Sequence, residues 1–127
     1  IVAIALGGAV GATCRYGAVI GCSRLLGDRF AWGVLLANLI GCFLMGALLH
    51  APLIVSLIPN QAFHALLTIG ILGSLTTFSS FGYDTLQYLE QQRYFAASAN
   101  VALNVALGIG ACWLGGSLAA HGYPLPK

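Results

Sequence analysis

Hydrophobic residues run along this chain in four long blocks, 1–22, 30–49, 62–89 and 94–118, and most charges fall between them. Each block reaches the roughly 20 residues that an α-helix needs to cross the hydrocarbon core of a bilayer. The pattern predicts an all-α integral membrane protein with four transmembrane helices in one domain over residues 1–127. The connections are "SRLLGDRF" (23–30), "HAPLIVSLIPNQ" (50–61) and "EQQR" (90–93). Four crossings return both ends of the chain to the same side.

The third block departs from this pattern in "LGSLTTFSSFGYDTL" (72–86). Gly70, Gly73 and Gly82, with hydroxyls at 74, 76, 77, 79 and 80, weaken a continuous helix. The third helix is therefore expected to be broken near its centre. Membranes tolerate unpaired backbone groups only where protein, water or an ion satisfies them. Carbonyls released around Gly73–Thr76 suit a cation, and the N–H groups and hydroxyls that follow suit an anion. A hydroxyl-bridged kink without an ion is the plainer alternative. Phe78 and Phe81 share a face if the chain resumes as helix. An aromatic ring is positive at its edge, so rings turned edge-on can meet a partly dehydrated anion without a full charge.

Composition sharpens the class. The chain has 127 residues, 59% of them hydrophobic and only 6% charged, and its mean hydropathy is +0.91. A soluble domain carries about 25% charged residues. The net charge of +2 is too small and scattered to suggest nucleic-acid binding. Arg24, Arg29 and Arg93 fall on one side and Lys127 on the other, a bias modest enough to permit insertion in both orientations. The sequence does not begin with Met, so a few residues are expected before Ile1. The first block is too long and glycine-rich for a cleaved signal peptide. Cys14, Cys22, Cys42 and Cys112 lie in apolar stretches without metal-ligand spacing and read as small buried hydrophobes. Gly7 and Gly11, then Gly17 and Gly21, repeat at the spacing that lets helix backbones approach closely. Tyr16, Trp32, Tyr94 and Trp113 suit interfacial anchors or packing between subunits. His50, His64 and His121 lie toward span ends and suggest no catalytic task.

Polar side chains at membrane depth are functional candidates by default. The deep ones here include Asn38, Thr77, Ser80, Asn100 and Asn104, with Arg15 nearer an end, and all offer hydrogen-bond donors. No Asp or Glu lies in the core of a span; Asp84 falls late in the third. Donors without carboxylates suit an anion. Asn100, Asn104 and Gly108 recur every four residues and so share one stripe of the fourth helix, which Asn38 can face from the second. Interhelical hydrogen bonds among these asparagines are the alternative. Four short helices enclose little volume, so a solute pathway forms more easily between two copies.

At these residues the chain resembles the Fluc (CrcB) family of small bacterial fluoride channels. The matching motifs are "GGAVGATCRY" (7–16), "ANLIGCFLMG" (37–46) and "GSLTTFSSF" (73–81), the last being the most specific. The resemblance implies an antiparallel, dual-topology homodimer in the bacterial inner membrane, with two fluoride pathways along the subunit interface. It implies that Phe78 and Phe81 touch fluoride with their ring edges and that Asn38 is a pore-lining donor beside them. It places Arg15 near a pore entrance and the carbonyls of Gly73 and Thr76 around a central, structural Na⁺. Two positions depart from the family pattern. The hydroxyl track common on the fourth helix is here mainly Asn100 and Asn104, and "SSF" stands where "STF" is common.

The resulting expectation is a passive, fluoride-selective channel and not an enzyme. Its partners are fluoride, membrane lipid and a second copy of itself; its donors are Asn38, Asn104, Thr77 and Ser80, aided by the two phenylalanines. A small multidrug-type exporter, also of four spans, is the alternative, but it requires a membrane-embedded carboxylate. A non-transporting assembly protein is a third reading and leaves the donor stripe unexplained.

Overall fold

The computed structural model describes residues 1–50, 58 and 60–121, and every regular element among them is helical. The first two spans are single helices, α1 (Val2–Leu26) and α2 (Trp32–His50). The third is assembled from α3 (Gln61–Ala65), a π-helical stretch Leu66–Leu72, α4 (Gly73–Leu75) and α5 (Phe78–Glu90). The fourth joins α6 (Tyr94–Ala102) to α7 (Gly108–His121) through a π-helical stretch Leu103–Leu107. Val2–Leu26, Trp32–His50, Gln61–Glu90 and Tyr94–Ala120 are each long and apolar enough to cross a membrane. Most of the connection expected at 50–61 lies outside the described residues, as do the side chain of His121 and Lys127, on which the charge bias partly rests.

The first helix runs four residues beyond the expected 22. Nothing in Ser23–Leu26 stops it, and it ends only at Gly27, whose φ of 78° suits glycine. Asn60 caps α3 by accepting the Phe63 N–H at 2.9 Å. The reversal between the third and fourth spans closes through Arg93 N–H to the Tyr88 carbonyl at 2.8 Å.

Helices in a bilayer gain no hydrophobic drive from each other, so they associate by close packing. Glycine provides two such seams. Gly7 and Gly11 of α1 lie against Leu66, Gly70 and Ile71, where any side chain would strike backbone. Gly46 of α2 faces the Cys112 carbonyl of α7, and Gly115 of α7 faces the Phe43 carbonyl of α2. Gly17 and Gly21, at the same sequence spacing, meet nothing within 4 Å. The first glycine pair thus packs inside the chain and the second is left open. Ala37, Leu48, Leu72 and Leu75 form the small core between the seams. Many large apolar side chains, Val10, Phe95, Ile109 and Leu118 among them, are exposed, as suits a surface facing lipid or another copy.

Candidate functional site

The helical path of the third span stops at Leu75 and resumes at Phe78. Thr76 (φ −76°, ψ 152°) and Thr77 (φ −151°, ψ 115°) are extended between them. The Thr76 N–H and hydroxyl both reach back to the Leu72 carbonyl, each at 3.1 Å. In a continuous helix the Thr77 N–H would go to Gly73. It donates instead to Asn38 Oδ1 at 2.8 Å, while Asn38 Nδ2 donates to the Thr77 carbonyl at 3.4 Å. One side-chain amide from α2 therefore substitutes for a peptide group. The Thr77 hydroxyl accepts the Ser80 N–H at 3.2 Å, capping α5, and donates to the Ser80 hydroxyl at 3.1 Å.

The fourth span enters the same network. Asn38 Nδ2 donates to Asn104 Oδ1 at 2.8 Å. Asn104 Nδ2 donates to the carbonyl and the Oδ1 of Asn100, at 2.9 and 3.1 Å. Asn100 Nδ2 donates to Thr85 Oγ1 at 2.9 Å and to the Phe81 carbonyl at 3.3 Å. Asn100 is fully buried, at 0% exposure. An unpaired amide at that depth costs several kcal/mol, so this network fixes the third span against the second and fourth.

Phe78 and Phe81 begin α5, their ring centroids 5.4 Å apart and their planes tilted by 54°. They border a depression of about 250 Å³ with Asn38, Thr76, Thr77 and Asn104. Phe78 is 83% exposed, so the depression is open on that side. The expected residues Asn38, Thr77, Phe78, Phe81 and Asn104 thus come together here. Ser80 stands behind them, bonded to Thr77. Asn100 and Arg15 are not in the lining; Arg15 is half-buried on α1 and has no hydrogen bond to a described residue.

Residues that the sequence did not single out complete the picture. Thr85 receives Asn100, and its only sequence signal is its position one turn after Phe81. Tyr88 latches one end of the bundle: its hydroxyl accepts the Ala31 N–H at 2.7 Å, ahead of α2. The Arg93 guanidinium lies 4.9 Å over the Tyr88 ring and donates to the Arg29 carbonyl. Asp84, Ser23, Asp28, Tyr88 and Arg93 share a separate polar cup of about 320 Å³ there. The buried Oδ2 of Asp84 has no hydrogen-bond partner among the described residues. Among those residues no three His, Cys, Asp or Glu side chains group as metal ligands.

Residues 2–116 match the family model described as "CrcB-like protein, Camphor Resistance (CrcB)". A protein of Geobacter sulfurreducens named "Fluoride-specific ion channel FluC" is 45% identical over 115 residues, covering 91% of this chain and 92% of its own. Proteins of the same name from Vibrio campbellii and Geobacter metallireducens are also similar. The first is 43% identical over 112 residues, 88% of this chain and 87% of its own. The second is 41% identical over 121 residues, 95% of this chain and 97% of its own.

Proposed function

This chain belongs to the CrcB-like family, and on that premise we propose that it is a passive, fluoride-selective channel of the bacterial inner membrane. It lets cytoplasmic F⁻ leave down its electrochemical gradient and protects the cell from fluoride. Acidic surroundings favour HF, which crosses membranes as a neutral molecule and ionises inside. The trapped anion then needs an exit. The observation that carries the reading is the depression where Asn38 binds the extended Thr77 backbone beside the tilted Phe78 and Phe81 rings.

Fluoride is small and strongly hydrated, so a pore must replace its water with close donors. Amide and hydroxyl groups and ring edges supply partial positive charge, strong enough to admit the ion and weak enough to release it. A narrow passage then excludes the larger chloride. The exporter alternative finds no support: the relatives carry a channel's name, and Asn38, Phe78 and Phe81 form a carboxylate-free site.

The working unit in this reading is an antiparallel homodimer inserted in both orientations. The open side of the depression and the uncovered Gly17 and Gly21 support a second copy as the missing wall. The third span acts as a broken helix, with the fluoride path through Thr77–Phe81 and Arg15 near an entrance. A structural Na⁺ fits the break. The Thr77 N–H is turned to Asn38, which frees the Gly73 carbonyl, and unwound carbonyls are the ligands sodium takes in membrane proteins. Gly73 and Thr76 would hold it through those carbonyls, and its charge would secure the break without itself moving. The test is fluoride efflux from liposomes that contain only the purified protein, with no ATP and no pH gradient.

A further inference from the structure

The hydrogen bonds from one deep asparagine to the next run one way, and only Asn38 also reaches back to its donor, Thr77. Thr77 donates to Asn38, Asn38 to Asn104, Asn104 to Asn100, and Asn100 to Thr85 and Phe81. An asparagine amide has two N–H donors and one oxygen acceptor. The Asn104 amide gives its N–H groups to Asn100, at 2.9 and 3.1 Å. An anion accepts hydrogen bonds and offers none, so Asn104 has no N–H left to give it. Asn100 reaches Thr85 at 2.9 Å and the Phe81 carbonyl only at 3.3 Å, but at 0% exposure it is wholly enclosed, out of an anion's reach. Asn38 differs. One of its N–H groups is held by Asn104 at 2.8 Å, but the other meets the Thr77 carbonyl only at 3.4 Å. That is outside the usual N–H···O range of about 2.7–3.2 Å.

We propose that Asn100 and Asn104 are positioning residues and not anion ligands. They hold the Asn38 amide in one orientation, so that its loosely held N–H is the amide donor that fluoride recruits in the depression beside Phe78 and Phe81. The assignment rests on the fluoride-channel reading and replaces the anion stripe expected along the fourth span. A hydroxyl on that span can rotate to serve a passing anion. These amides are locked head to tail and act through their neighbour. Released from Asn104, the Asn38 amide is held by Thr77 alone, and its N–H groups are no longer kept aimed into the depression.

A double-mutant cycle on fluoride efflux from liposomes tests this. The proteins are wild type, Asn38→Ala, Asn104→Ala and the double variant. Asn104→Ala is expected to slow efflux about five- to tenfold, the effect of one oriented hydrogen bond. The double variant should be within about twofold of Asn38→Ala alone, because Asn104 acts only through Asn38. Losses that multiply would overturn the assignment, since an independent ligand, or a packing defect unrelated to Asn38, adds its own loss. Rates are taken per folded protein, from elution volume and helical circular dichroism. If Asn104→Ala does not fold, Asn104→Ser replaces it; if Asn38→Ala leaves no measurable flux, Asn38→Ser does. The two readings fail separately. A wild type without fluoride flux overturns the channel itself, whereas wild-type flux with multiplying losses overturns only the role of the asparagines.

Discussion

Thr77 has its N–H and its carbonyl turned to a single side chain, that of Asn38, while its hydroxyl caps the helix that follows. That arrangement delivers Phe78 and Phe81 at the start of α5 and aims them at the same depression. Replacing either ring by a branched aliphatic keeps most of the apolar volume and removes the positive edge. Phe78→Ile and Phe81→Ile are therefore expected to slow fluoride efflux at least about tenfold while the elution volume stays that of the wild type. Unchanged flux in both variants would remove the rings from the mechanism. At this scale the sequence was partly legible. The types and spacing of Thr77, Phe78 and Phe81 marked them as a group, and the family resemblance set Asn38 beside them. What spacing cannot express is which hydrogen bonds are already made. The stripe of Asn100 and Asn104 read as a row of donors, but those donors face each other, Thr85 and Phe81, and Thr85 gave no signal of its own.

The elements meet along backbone-to-backbone seams rather than through interlocking large side chains. At Gly46 and Gly115, α2 and α7 approach until each helix touches the other's carbonyls. Gly46→Val puts a branched side chain into the Cys112 backbone, which has no rotamer with which to yield. It should lower stability by about 1–3 kcal/mol, read as an earlier midpoint in detergent-denaturant unfolding, whereas Gly17→Val should leave isolated subunits unaffected. Equal stability of Gly46→Val and wild type would contradict this packing. The four spans were legible because bilayer crossing demands long apolar runs, and 20 apolar residues leave few alternatives. The extension of α1 to Leu26 was less so, because Arg24 looks like a connection although Ser23–Leu26 holds neither glycine nor proline before Gly27. The two π-helical stretches carry no periodic signature in sequence, since they follow from packing.

Among the described residues the fold leaves the Phe78 depression incomplete and part of the α1 surface uncovered. Phe78 and the second glycine pair of α1 lie open, and the depression lacks a wall on the Phe78 side. In the proposed antiparallel dimer, a second copy supplies that wall and a Na⁺ secures the two breaks. Withholding Na⁺ during purification should therefore abolish conduction or dissociate the dimer, as followed by efflux and elution volume. Indifference to Na⁺ in both would count against a structural ion at Gly73 and Thr76. Halide efflux from liposomes holding only this protein decides whether the depression selects fluoride. Fluoride should empty without ATP or a pH gradient while chloride remains inside. Equal release of the two halides, or release of neither, would mean that it does not.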